Sequence, residues 1–241
     1  MVDAVRVDLE GGRRSKEKKD FAAHQPYGET NWGLKRRSNE DAILLGFDLP
    51  RPTYAVADGV GGEEYGEIAS RTVVSLLRSI AGRGEEIDQE DIFYINSRIP
   101  RGFTTLVVAQ EIVPNHFRIF SVGDSSALLL DSRKGEIREL TPRDEDRKGK
   151  LTQALGSSGG KPMMLRTPNI AEVNLTPGQK LILATDGFTR YLDNGKIGIG
   201  NVLYVNQQSP SNRDFVKTLI EMANACGGSD NITVVSIPYR P

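Results

Sequence analysis

Apolar positions along this chain fall into short, nearly continuous runs broken by polar turns, with longer stretches in which they recur at helical spacing. Tyr54 to Ala57 is one such run and ends on Asp58, and beyond a cluster of glycines Ile68, Thr72, Val73, Leu76, Leu77 and Ile80 follow one helical stripe. This predicts a strand, a tight turn and an amphipathic helix beginning near Glu63. Upstream, the Gly-broken segment Tyr27–Lys35 reads as a first strand with Trp32 as a core plug, and the polar block Arg36–Asp41 leads into a second strand, Ala42–Phe47. Downstream, the charged, weakly periodic Arg83–Arg98 reads as a short helix through Ile87, Ile92, Phe93 and Ile95. Thr104–Val108, Phe117–Val122 and Ala127–Leu130, with a hairpin turn at Lys134-Gly135 before Ile137 and Leu140, read as an antiparallel meander.

In the second half, dense charge over Thr141–Lys150 and a Gly/Ser run over Gly156–Gly160 predict a flexible surface region around Leu151–Leu155. Strands return at Ala171–Leu175 and Lys180–Thr185. A helical stretch then turns at Asp193-Asn194-Gly195, an amphipathic helix spans Ser211–Cys226, and a last strand runs Ile232–Ile237. Strands outnumber helices, yet the helices need sheet faces to cover. Two packed antiparallel sheets with helices outside, an α+β arrangement, meet both demands.

Composition narrows the chemistry. A chain of 241 residues suits one sizeable core, expected over 25–241 after a mobile N-terminal tail, 1–24, which has no apolar segment of the secretory kind. Net charge is −1, from 31 basic and 32 acidic side chains, so no global field favours nucleic acid or an anionic membrane. No window approaches the ~20 apolar residues of a membrane span. The single cysteine, Cys226, excludes an internal disulfide, fits a reducing, cytoplasmic setting and reads as a buried small hydrophobe on the last helix. With only His24 and His116 for histidine, any metal must be held by oxygen, which points to magnesium or manganese rather than zinc.

Oxygen donors recur in one setting. At Glu40-Asp41, Asp58-Gly59, Gly123-Asp124-Ser125, Asp186-Gly187 and Asp230-Asn231, an apolar run meets an Asp beside Gly, Asn or Ser. Any one of these is an ordinary turn. Gathered at strand ends of one sandwich, they repel one another strongly unless cations neutralise them. Two hard divalent ions bridged by a carboxylate can deprotonate a water for in-line attack on phosphorus, and Arg36 or Arg37 could supply a bidentate fork for the phosphate. Hydrolysis of a phosphate ester is the reaction class these residues suggest.

The same stretches resemble an ordered motif set. Gly33 to Ala42, Val56-Ala57-Asp58-Gly59-Val60-Gly61-Gly62, Thr104-Thr105, Val122-Gly123-Asp124-Ser125, Ala184-Thr185-Asp186-Gly187 and Ser229-Asp230-Asn231-Ile232-Thr233 are similar to those of the metal-dependent serine/threonine protein phosphatases of type 2C. The resemblance implies a four-layer αββα sandwich and a centre of two Mn²⁺ or Mg²⁺ ions that hydrolyses phosphoserine and phosphothreonine on proteins. By position, Asp58 corresponds to the carboxylate bridging both ions and Gly59 to a backbone-carbonyl ligand. Asp186 and Asp230 correspond to ligands of one ion, Glu40 or Asp41 to residues near the other, and Arg36 to the phosphate-binding arginine. Asp124 with Asp186 corresponds to a third, weaker site. Phosphoproteins opposing a Ser/Thr kinase are the implied partners of a monomeric enzyme.

Departures from the pattern matter too. Val60 stands where many relatives carry a histidine general acid, Phe103 replaces a glycine before the Thr pair, and Arg101 replaces an aspartate. The segment Thr141–Lys150 passes almost directly into Leu151, leaving little room for a flap, so a compact, open cleft is expected whose substrate choice rests on surface charge or a partner. A fold retained as a non-catalytic interaction module is the alternative; a carboxylate-metal nuclease is disfavoured by the near-neutral charge.

Overall fold

In the computed structural model, residues 24–60, 65–158, 161–162 and 165–241 are described. Residues 1–23 of the expected tail 1–24, the turn residues Gly61 and Gly62 and the expected helix start at Glu63 lie outside them. In chain order the elements are β1 (Tyr27–Asn31), β2 (Ala42–Gly46), β3 (Thr53–Ala57), α1 (Gly66–Ala81), α2 (Gln89–Arg98), β4 (Gly102–Thr104), β5 (Leu106–Val113), β6 (His116–Val122), β7 (Ser126–Asp131) and β8 (Glu136–Glu139). They continue with β9 (Leu155–Ser158), β10 (Lys161–Pro162), β11 (Asn169–Asn174), β12 (Gln179–Ala184), α3 (Asp186–Asp193), α4 (Ile199–Gln208), α5 (Asn212–Ala225) and β13 (Ile232–Pro238).

Two antiparallel five-stranded sheets, ordered β2-β3-β5-β6-β11 and β1-β13-β12-β7-β8, face each other, and β4, β9 and β10 form a small third sheet. Tyr54, Val56, Phe117 and Ile119 of the first sheet meet Leu181, Leu183, Val235 and Ile237 of the second. Alternate residues on the outer faces then pack against helices. Leu44, Val108 and Phe120 meet Val73, Leu77 and Ile80 of α1, and Ile182 and Val234 meet Phe188, Val202, Phe215 and Leu219 of α3, α4 and α5. The period-two alternation of each strand thus feeds two separate cores, which is why these strands read as continuous apolar runs. The result is the expected αββα sandwich. No helix among the described residues is long and apolar enough to cross a membrane.

Several local expectations change. Trp32 is not a core plug; β1 stops at Asn31, and Trp32 is 58% exposed on the following loop. The α1 stripe is rotated towards its small residues, burying Ala69 and Ser70 with Val73 and Leu77 while Ile68 faces outwards. The expected strand Thr104–Val108 is two strands, because Thr105 turns the chain from the small sheet into the large one and donates its N–H to the Asp58 carbonyl at 2.9 Å. The Gly/Ser run expected as loop pairs as β9 with β4 through residues 155–157. Cys226 is the C-cap residue of α5 and is only half-buried, packed at the edge of the apolar core that Phe215 and Leu219 fill. The charged segment after β8 is tied down, Arg143 binding Glu139 at 2.7 Å and Asp144 accepting from the Gly123 N–H at 2.9 Å.

Candidate active site

Strand direction gathers the acids. Ala42 pairs with Ala57, Leu106 with Val122 and Ala184 with both Val234 and Ser126. The start of β2, the ends of β3 and β6, the end of β12 and the start of β13 therefore share one pole of the sandwich. Asp41, Asp58, Asp124, Asp186 and Asp230 flank those termini in that order.

Asp58 sits at the floor. Its backbone is clamped by the Thr pair: Thr105 Oγ1 accepts from the Asp58 N–H at 3.0 Å and Thr104 Oγ1 donates to its carbonyl at 2.9 Å. Thr105 Oγ1 in turn contacts Ser125 Oγ at 2.7 Å, linking the first sheet to the turn that carries Asp124. Gly59 does not take a left-handed backbone. What it contributes is the missing side chain, since a Cβ would lie 2.5 Å from the Gly66 backbone and 2.7 Å from the Glu40 carbonyl. Val60 donates its N–H to the Phe103 carbonyl at 2.9 Å, so the unusual Phe103 fastens this strand exit through its backbone.

Asp41 is buried at 5% exposure, and its Oδ2 accepts from Thr185 Oγ1 at 3.0 Å and Thr233 Oγ1 at 2.5 Å. Asn231 staples the opposite side, its Oδ1 accepting from the Glu40 N–H at 2.9 Å and its Nδ2 donating to the carbonyls of Ser38 at 2.8 Å and Trp32 at 3.1 Å. That staple sets Arg36 over the acids, and Arg36 Nη2 reaches Asp230 Oδ2 at 2.8 Å. Arg37 is exposed beside it. Across the cleft Arg190, one helical turn beyond Asp186 on α3, pairs with Asp186. Sequence reading missed Arg190 and the Thr185–Thr233 clamp; the i,i+4 spacing of Asp186 and Arg190 within a helix was the available signal.

The electrostatics follow from this crowding. Burial, then the charges of Asp41, Asp186, Asp124 and Asp230, hold the Asp58 carboxyl well above the usual range. Burial, outweighing the hydrogen bonds from Thr233 and Thr185, pushes Asp41 up to about 7. Burial and then Asp186 raise Asp124 to about 6. Burial also raises Asp186 against the pull of Arg190, and raises Glu40 against that of Arg36. Each of these five acids thus holds its proton more tightly than a free carboxyl does. A cavity of about 310 Å³ opens beside Asp124 and Asp186, with Arg143, Lys148 and Arg190 on its other walls.

The donor set fits hard divalent cations. It is all oxygen, and Glu40 Oε2 and Asp41 Oδ1 are buried with no hydrogen-bond partner, a costly state that a cation relieves. Among the described residues no three acidic, His or Cys side chains converge as a finished ligand shell. Arg36 and Arg190 instead draw Asp230 and Asp186 into pairs.

Comparison with known proteins agrees with this geometry. The family described as Protein phosphatase 2C matches residues 97–233, a span that includes Asp124, Asp186 and Asp230. The serine/threonine phosphatase stp of Listeria innocua is 26% identical over 86% of this chain and 93% of its own length. PstP of Mycobacterium tuberculosis, also 26% identical, aligns with 84% of this chain, which spans only 42% of that longer protein. Among solved structures, the serine/threonine phosphatase of S. agalactiae superposes with a TM-score of 0.74 at 25% identity, over 90% of this chain and 99% of its own. Fold, acid-lined pole and family match converge, and the chain belongs to the protein phosphatase 2C family.

Proposed function

We propose that this chain hydrolyses phosphoserine and phosphothreonine on proteins, with residues 25–241 as a single catalytic unit. Metal dependence is general to the protein phosphatase 2C family. The observation that supports this reading is the convergence of five strand-end carboxylates, two orphaned acid oxygens and an arginine at one pole. Asp58, the Gly59 carbonyl, Asp186, Asp230 and Glu40 or Asp41 would hold two Mn²⁺ or Mg²⁺ ions, with Asp124 and Asp186 offering a third position. When bound, such ions supply Lewis acidity that makes water a nucleophile near neutral pH and offset the charge gathering on phosphate oxygens.

The chain's own residues do the rest. Arg36 presents a planar fork at the cleft mouth, suited to two phosphate oxygens at once. Thr104, Thr105 and Ser125 fix the backbone around Asp58, so its carboxylate needs no reorganisation when substrate arrives. Val60 offers no proton, so the departing alkoxide takes its proton from water in the open cleft. A phosphoprotein made by a Ser/Thr kinase is the fitting substrate class, and a cytoplasmic monomer the fitting context.

The test is Mn²⁺-dependent turnover of a phosphothreonine peptide. Asp58→Ala should lower kcat/KM by at least about 100-fold, since even an outer-shell partner of a metal costs 10–100-fold. Wild-type turnover in that variant, or turnover indifferent to a chelator, overturns the assignment.

A further inference from the structure

The loop Trp32–Ser38 that carries Arg36 also carries two large apolar side chains that face solvent. Trp32 is 58% exposed and Leu34 is 65% exposed. Exposed side chains of this size are usually isolated and need no explanation. These two sit one residue apart on a segment held rigidly against the acid cleft. Asn231 Nδ2 donates to the Trp32 carbonyl at 3.1 Å, the Leu34 N–H donates to the Gly228 carbonyl at 2.8 Å, and the Gly33 N–H donates to Asn31 Oδ1 at 2.9 Å. Gly33 takes φ +76° and passes so close to the neighbouring strand entry that a Cβ would lie 2.1 Å from the Asp230 carbonyl. Leu34 packs its branch over Gly228, where a Cβ would lie 2.8 Å from its Cγ.

The loop that aims Arg36 at Asp230 therefore has its backbone braced at Trp32 and Leu34, four and two residues before the arginine. An aromatic carried on a braced backbone near an anion-binding arginine gains more from binding than one on a mobile loop, because less conformational entropy remains to be lost. An extended peptide whose phosphate meets Arg36 brings its adjoining side chains within reach of this loop, as neighbouring residues of an extended chain lie only ~3.3 Å apart along it.

We infer that Trp32 and Leu34 form a specificity subsite that takes an apolar side chain adjoining the phosphorylated residue of a protein substrate. The inference rests on the phosphatase reading above and adds the class of substrate. The basic side chains of Lys35 and Arg37 on the same loop define the competing preference, for an acidic neighbour.

The experiment uses the full chain with Mn²⁺ and three phosphothreonine peptides whose neighbours on both sides are leucine, serine or glutamate. The leucine peptide should be preferred over the serine peptide by about tenfold in kcat/KM, carried mainly by KM, as suits burial of part of one aliphatic side chain. Trp32→Ala should bring that ratio close to one, and Trp32→Phe should restore it. The ratio is immune to a general loss of active protein. Trp32 is the only tryptophan of the chain, so its own emission provides a readout independent of turnover: it should shift to the blue with the leucine peptide and not with the serine peptide. A preference for glutamate, equal use of all three peptides, or a ratio unchanged in Trp32→Ala overturns the subsite. Turnover of p-nitrophenyl phosphate by the wild type separately tests the underlying reading, since that substrate has no neighbouring residues.

Discussion

Single residues here carry meaning through the charge they face. Arg190 is the clearest case, because it pairs with Asp186, the residue proposed above as a metal ligand. The Asp186 charge, ahead of Asp230 and Asp124, raises the guanidinium pKa of Arg190. Removing it takes away the largest favourable charge that Asp186 faces. Arg190→Ala should therefore raise Mn²⁺ affinity, by a few-fold only, because the guanidinium is about half exposed and water screens the pair. Isothermal titration with Mn²⁺ measures this directly. Weaker binding in the variant would mean that Arg190 organises Asp186 rather than competing for it. Sequence alone identified Asp58, Asp124, Asp186 and Asp230 as strand-end acids, since an Asp beside a glycine or serine after an apolar run is visible in one dimension. The i,i+4 spacing allows Arg190 to turn back on Asp186, but only the fold shows that this pair stands in the acid cleft.

At the level of elements, the site depends on how closely α3 approaches the turn before β13. Gly187, its second residue, has no room for a side chain, since a Cβ would lie 1.8 Å from the Asn231 carbonyl. Gly187→Ala should push α3 away from that turn and separate Asp186 from Asp230. Overpacking of this kind costs roughly 1–3 kcal/mol, and each kcal/mol is worth about 2–4 °C in Tm at this size. Thermal denaturation should show a fall of several degrees together with weaker Mn²⁺ binding. Gly200, in α4, has nothing within 4 Å of its would-be Cβ, so Gly200→Ala should instead raise stability by roughly 0.4–1 kcal/mol. Equal effects in the two variants would discount the close approach. Element type was legible wherever the apolar period was long, as in α1, α5, β12 and β13. It was misread where pairing partners decided it: β9 is built from Gly and Ser and is a strand because β4 lies beside it.

For the whole molecule, the acid pole is a stability statement as well as a catalytic one. Asp41 is raised to about 7 and Asp124 to about 6, whereas an unfolded carboxyl titrates near 3.9. Their stabilising contribution is full below the unfolded value and is lost as pH rises through the folded values, because the native state resists giving up its protons. Chelated protein should lose Tm between about pH 5 and pH 7.5 more steeply than its Asp41→Asn variant, and Mn²⁺ should restore more Tm at the upper pH. A variant slope equal to that of the wild type would show that Asp41 does not titrate in this window. The sequence by itself determined the sandwich class, the strand-end acids and their hard-cation chemistry, because continuous apolar runs and Asp-Gly turns are local properties. Only the tertiary structure decided that those acids meet at one pole, that Thr185 and Thr233 hold Asp41, and that Trp32 faces outwards. Those outcomes depend on strand direction and on contacts between residues up to two hundred positions apart, and no window of the chain records them.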